Sequence, residues 1–181
     1  MQKFLKWNNL GNLKIMLTAA LFAAISIICG KFLAISIGDT IRLSLENLTI
    51  ILSGILFGPV VGGFTGLIAD IVGCILRGYA INPILTAAAV FIGFFSGVIY
   101  HLLKNFNSHF RILSVVVFCH TVGSVIIKTI GLCVWFNYPF YPTLVGRIIN
   151  YIIVAIVEFL ILEILIKNKT LLKTIGGNNE L

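Results

Sequence analysis

The sequence predicts an all-α membrane protein, a compact bundle of six transmembrane helices. Three observations carry that prediction. Hydrophobic residues make up 59% of the 181 and charged ones only 10%, whereas a soluble domain carries roughly a quarter charged residues. Apolar stretches approaching the ~20 residues that cross a bilayer recur along nearly the whole length, which leaves no room for a separate soluble domain. Basic residues gather at the ends of those stretches. The formal charge of +7 therefore reads as membrane orientation, and no nucleic-acid partner is expected.

The first span covers residues 15–37. The segment before it, MQKFLKWNNLGNLK, imitates a signal peptide, with small residues near Ala23 and Ala24. The apolar run continues to Ile37 without a polar cleavage region, which argues against removal. Residues 43–76 would form a single helix of about 50 Å, too long for one crossing. In their middle, FGPVVGG (57–63) holds a proline without a donor and glycines that permit a reversal. A hairpin of two short helices is predicted, each arm about 24 Å long, with Arg42 and Arg77 on one side in a water-filled hollow.

Spans at 84–103, 112–136 and 144–166 complete the count. Residues 1–166 then form a single domain, and 167–181 a short polar cytoplasmic tail. Six crossings put both termini on one face. Lys3, Lys6, Lys14, Lys104, Arg111, Lys167, Lys169 and Lys173 fall there, against mainly Arg42 and Arg77 opposite. The positive-inside rule makes both termini cytoplasmic, in a multi-pass protein of a bacterial-type cell membrane, with lipid around it.

Ionisable groups within a membrane are costly and face a partner or a cavity. On the fifth span His120, Ser124 and Lys128 recur at i, i+4; on the sixth, Arg147, Asn150 or Tyr151, Val154 and Glu158 form one stripe. Counting residues across the short loop at 137–142 places His120 level with Glu158, and Lys128 level with residues 150–154. The inner level reads as an interhelical hydrogen bond. The outer one, with Lys128 and Arg147, needs an anion, and Asp70 on the third span is a candidate. Glu46 lies four residues after Arg42, a spacing that would pair them on one helical face.

The outer loops 77–83 and 135–142 are aromatic and amide-rich. Beside the arginines, Tyr79, Trp135 and Tyr138 suit a lid over a flat anionic ligand. Cys29, Cys74, Cys119 and Cys133 lie in apolar spans without a C-x-x-C pair, so free thiols are expected, with no metal. No phosphate loop, H-E-x-x-H or carboxylate pair beside a nucleophile occurs, so no ATP hydrolysis, enzymatic activity or cofactor is expected. His120 and Glu158 as an acid–base pair of a membrane enzyme or assembly factor would lack a third partner.

AALFAA (19–24), RLSLENLTIILSGILFGPVVGGFTGLIADIVG (42–73), GYAINPILT (78–86) and the last span after Gly146-Arg147 resemble the substrate-binding S components of energy-coupling factor (ECF) vitamin transporters, in particular the folate-type group. The resemblance implies a vitamin bound near the outer face, and docking on a transmembrane coupling protein driven by two ATPase subunits. It gives the coupling-protein contact to Ala19, Ala20, Ala23 and Ala24, and gating to the loops at 36–42, 77–83 and 135–142.

Together, Arg42, Arg77, Lys128 and Arg147 are expected to form a cationic basin for a carboxylated, folate-like vitamin. Asp70 stands beside it, and Glu46, Asn47, Asn82 and Asn150 are expected to read its heterocycle. RLSLENLT departs from the R-I-S-F-G-x-L-P of typical folate-group sequences at Glu46 and Thr49, which keeps a queuosine precursor or pantothenate open as substrates.

Overall fold

The structure, a computed structural model, describes residues 13–37 and 41–168. Within them the chain forms six helices. Helix α1 (Leu13–Ile27) ends in a π-helical turn (Ile28–Phe32). A small hairpin follows, β1 (Ile35–Ile37) against β2 (Ile41–Leu43), antiparallel with Ser36 opposite Arg42. Then come α2 (Glu46–Phe57), α3 (Pro59–Arg77), α4 (Pro83–Leu102), α5 (Ser108–Phe136) and α6 (Phe140–Lys167). Five of the six are long and apolar enough to cross a membrane; α2 is not. The fold is an all-α membrane bundle carrying one two-stranded ribbon.

The predicted hairpin turns at Gly58, where φ is +98° and Pro59 opens α3. A left-handed backbone suits glycine, and a proline at a helix start gives up no needed hydrogen bond. The Gly58 N–H donates to the Gly54 carbonyl and its own carbonyl accepts from the Gly62 N–H, each at 3.0 Å. Helix α3 closes on Gly78 at φ +67°, with the Tyr79 N–H reaching the Cys74 carbonyl at 2.9 Å, a Schellman-type end.

Element ends differ from the sequence reading in three places. The first helix stops at Phe32, and Ile35–Ile37 pairs as a strand, because alternating β-branched residues suit a ribbon as well as a span. Arg42 sits in β2 and α2 starts only at Glu46, so the two do not share a helical face. Residues 140–142 belong to α6, whose first turn accommodates Pro142. Residues 1–12, 38–40 and 169–181, with Lys3, Lys6, Lys169, Lys173 and most of the predicted tail, lie outside the described residues.

Helix α2 is the centre of the bundle. Every residue from Thr49 to Phe57 is buried, enclosed mainly by α1, α3 and α4. Glycine makes that possible. A Cβ on Gly62 would strike the Gly93 carbonyl, one on Gly93 the Gly62 carbonyl, and one on Gly97 would lie 2.6 Å from the Gly54 carbonyl. The hairpin tip thus rests on α4 backbone to backbone, the contact that small residues allow in membranes. Ser53 and Thr65 add a buried hydroxyl pair at 2.8 Å between α2 and α3.

A second tie joins α5 to α6. His120 Nε2 and Glu158 Oε2 lie 2.8 Å apart, with side chains 5% and 0% exposed. The predicted level pairing therefore forms, within a π-helical stretch (Cys119–Ile127) of α5. The His120 ring also lies against Tyr151, centroids 5.2 Å apart. Cys29, Cys74, Cys119 and Cys133 are free thiols.

Two stability outcomes follow. Gly93→Val overpacks the α3–α4 contact and should cost about 3 kcal/mol. In detergent that would read as a fall in Tm of about 6 to 12 °C; an unchanged Tm would show that the helices can separate freely. Glu158→Ala leaves the buried His120 without its partner and should cost about 1 to 3 kcal/mol, while Glu158→Gln, which keeps a hydrogen-bonding oxygen, should cost clearly less. Equal losses in the two variants would contradict the pairing.

Candidate ligand-binding site

The N-terminus of α2 stops short inside the bundle, and a cavity of about 340 Å³ lies beside it. Helical periodicity builds its walls. Asp70 and Cys74 come from α3, Lys128, Leu132 and Phe136 from α5, and Thr143, Arg147, Asn150 and Tyr151 from α6; spacings of three and four residues bring such groups onto one helix face. Ser44, Glu46, Tyr79, Ala80, Leu85 and Tyr138 complete the lining from the segment after β2, the head of α2, the α3–α4 loop, α4 and the α5–α6 loop. A recess of about 10 Å³, the size of one water molecule, lies among Ser26, Glu46, Asp70 and Lys128.

One ion pair crosses the site between helices. The Lys128 ammonium donates to Glu46 Oε1 at 2.6 Å, with side chains 10% and 24% exposed. Glu46 is the first residue of α2, where a carboxylate also meets the positive end of the helix dipole. Its backbone carbonyl accepts the Ser26 hydroxyl at 2.7 Å, and a Cβ on Gly30 would lie 2.6 Å from its carboxylate. Glu46 therefore joins α1, α2 and α5 at the cavity floor. Asn47, buried behind it, donates to Ser124 Oγ at 3.3 Å and accepts weakly from Lys128 at 3.5 Å.

Arg147 is held differently. Its Nη1 donates to the Ser124 carbonyl at 3.1 Å and more weakly to the Tyr151 hydroxyl at 3.4 Å. Ser124 belongs to the π-helical stretch of α5, the kind of local widening that frequently accompanies functional sites. Asp70 accepts a 2.7 Å hydrogen bond from the Thr86 hydroxyl of α4.

Seven of the twelve predicted ligand residues line the cavity: Glu46, Asp70, Tyr79, Lys128, Tyr138, Arg147 and Asn150. Of the other five, four stand elsewhere. Asn82 caps α4, accepting from the Ile84 N–H at 2.9 Å, and donates to the Gly131 carbonyl at 2.9 Å; its amide is spent on structure. Arg77 lies over the Phe32 ring at 5.1 Å, and Trp135 is half exposed outside the lining. Asn47 supports Lys128 from behind. The side chain of Arg42 lies outside the described residues.

Tyr151 and Phe136 line the cavity without having been singled out as ligand residues. The i+4 step from Arg147 pointed to Tyr151, and Phe136 is one residue beyond Trp135. The four alanines of α1 split: Ala23 is buried, Ala19 is partly buried against the core, and Ala20 and Ala24 face outward.

Residues 14–166 match the family model described as the ECF transporter substrate-specific component. No curated protein sequence matches the chain. Solved structures share the fold. FolT bound with folic acid superposes with a TM-score of 0.69 at 19% identity, covering 84% of this chain and 92% of that one. ThiT from Listeria monocytogenes gives 0.66 at 21%, covering 87% and 96%. The S component for biotin from an ECF-type ABC transporter gives 0.65 at 22%, covering 86% and 92%. With the family model spanning nearly every described residue, the chain belongs to the substrate-specific components of ECF transporters, membrane subunits that bind substrate rather than catalyse a reaction.

Proposed function

We propose that the protein is the high-affinity vitamin-binding subunit of an ECF-type importer, and that its substrate is folate or a related pterin. The observation that carries the reading is the 340 Å³ cavity, set in a membrane bundle and lined by both ionic and aromatic side chains. Cavities of ~300–1,000 Å³ with a few convergent polar groups suit small-molecule ligands. The similarity to FolT, at a TM-score of 0.69, supports a pterin. The scores of 0.66 and 0.65 for ThiT and the biotin component favour a second reading, another small heterocyclic vitamin in the same cavity.

The charge bias at the span ends supports cytoplasmic termini in the cell membrane. The cavity lies at the opposite end of the bundle from Leu13 and Lys167 and would then face outward. Substrate enters from outside, held by Glu46, Asp70, Lys128, Arg147 and Asn150 and covered by Tyr79 and Tyr138. The β1–β2 ribbon leads directly into Glu46 and suits a gate. A coupling protein with two ATPase subunits supplies the driving force, docked on α1.

Of the four alanines, only Ala20 and Ala24 are open to such a partner; Ala23 belongs to the core.

Folic acid should bind the purified protein in detergent with a sub-micromolar Kd by titration calorimetry, and thiamine, biotin or pantothenate in excess should not displace it. Affinity weaker than micromolar would remove folate as the substrate. At 100 times Kd the ligand should stabilise the fold by about 2.7 kcal/mol. Ala20→Phe with Ala24→Phe should abolish uptake in cells and leave folic acid binding intact; joint loss of both would place these alanines in internal packing.

A further inference from the structure

Among the described side chains the cavity lining holds two cations, Lys128 and Arg147, and they are not equivalent. Lys128 is neutralised by Glu46 at 2.6 Å, so a ligand anion reaching it must compete with a carboxylate already seated at the head of α2. Arg147 meets neutral acceptors only. Its Nη1 faces the Ser124 carbonyl and the Tyr151 hydroxyl, and its guanidinium carbon lies 5.9 Å from the Tyr151 ring centroid. No carboxylate among the described residues reaches ion-pair distance of Arg147.

A guanidinium has five N–H donors in a planar fork. With Nη1 turned to α5 and α6, the Nε and Nη2 side of the fork retains the geometry that binds a carboxylate through two parallel hydrogen bonds. A partly buried charge within a membrane bundle favours an opposite charge, which carbonyl and phenol dipoles do not supply. The rest of the lining offers an anion little else. Glu46 and Asp70, which share it, are carboxylates, and Arg77 is stacked over Phe32, outside it.

We infer that Arg147 is the anion anchor of the cavity, and that the transported ligand carries a carboxylate or similar anionic group seated against α6. This rests on the cavity being the substrate site. It revises the basin expected from sequence, in which four cations share the anion. Lys128 becomes one half of an internal ion pair that positions α2 against α5, and among the described side chains Arg147 carries the selection for charge.

The test is a binding panel in detergent with folic acid, biotin, pantothenate, riboflavin and thiamine, run on the parent protein, Arg147→Met, Arg147→Lys and the double variant Glu46→Gln/Lys128→Gln. Expected is a carboxylate-bearing tightest binder, weakened about 10- to 100-fold by Arg147→Met and partly restored by Arg147→Lys. For folic acid, 6-hydroxymethylpterin serves as the carboxylate-free control and should lose less than about threefold, while the double variant, which weakens acid and control alike, keeps the ratio between them. Biotin or pantothenate binding with the same Arg147 dependence would retire folate and uphold the anchor. Thiamine or riboflavin binding tightest, an equal loss for acid and control in Arg147→Met, or a preference that vanishes in the double variant would overturn it. No binding by any panel member would overturn both this assignment and the vitamin reading.

Discussion

The length of α2 is the constraint on which the rest of the structure depends. Twelve residues, Glu46 to Phe57, span about 18 Å, well short of the ~30 Å hydrocarbon core. A helix fixed at one end by backbone contact with α4 leaves room beyond its other end, and that room is the cavity. Shortness alone would expose the unpaired N–H groups of the first turn within the membrane. Glu46 offsets their partial positive charge by placing a carboxylate in the first turn of the helix, and the same carboxylate holds Lys128. One ion pair thus stands at the head of the central helix, ties it to α5 and forms the cavity floor.

The membrane sorts the remaining polar groups into two levels on α5 and α6. At the inner level His120 and Glu158 pair with each other, buried and enclosed, which makes them a fastening between helices. At the outer level Arg147 and Asn150 look into a cavity. The π-helical stretch of α5 serves both levels. It begins beside His120 and includes Ser124, whose carbonyl receives Arg147 and whose hydroxyl receives Asn47. A regular helix holds its carbonyls in its own hydrogen-bond ladder, and the wider turn eases their reach to neighbours.

Much of this was legible in the sequence, for physical reasons that can be named. Gly58-Pro59 in an apolar run too long for one crossing permits only a reversal, and antiparallel residue counting suffices to bring His120 to Glu158 because a short loop fixes the register. The Glu46–Lys128 pair was not legible. The two residues are 82 positions apart on helices whose rotation depends on tertiary packing. A spacing of four suggested that Arg42 and Glu46 share a helical face, whereas Arg42 lies in a strand. Asn82 misled in another way: at a membrane loop an amide can bind a ligand or cap a helix, and its place directly before Pro83 was the sign that it caps. Which alanines of α1 face outward depends on packing against α2 and α3, which overlapping A-x-x-x-A faces leave undetermined.

The separation of scaffold from specificity explains how a shared bundle can accompany identities of only 19 to 22%. The scaffold rests on glycine contacts, the hairpin turn and the inner pair, none of which lines the cavity. The walls are side chains on the ends of α3, α5 and α6, where a substitution changes what the cavity attracts without touching the α2–α4 contact. Charge is the coarsest filter such a wall can apply, because a mismatched buried charge costs more than a mismatched hydrogen bond. In this chain Glu46 cancels Lys128, so the sign that the α5–α6 wall presents is set by Arg147, a side chain anchored by a carbonyl that the local geometry of α5 makes available.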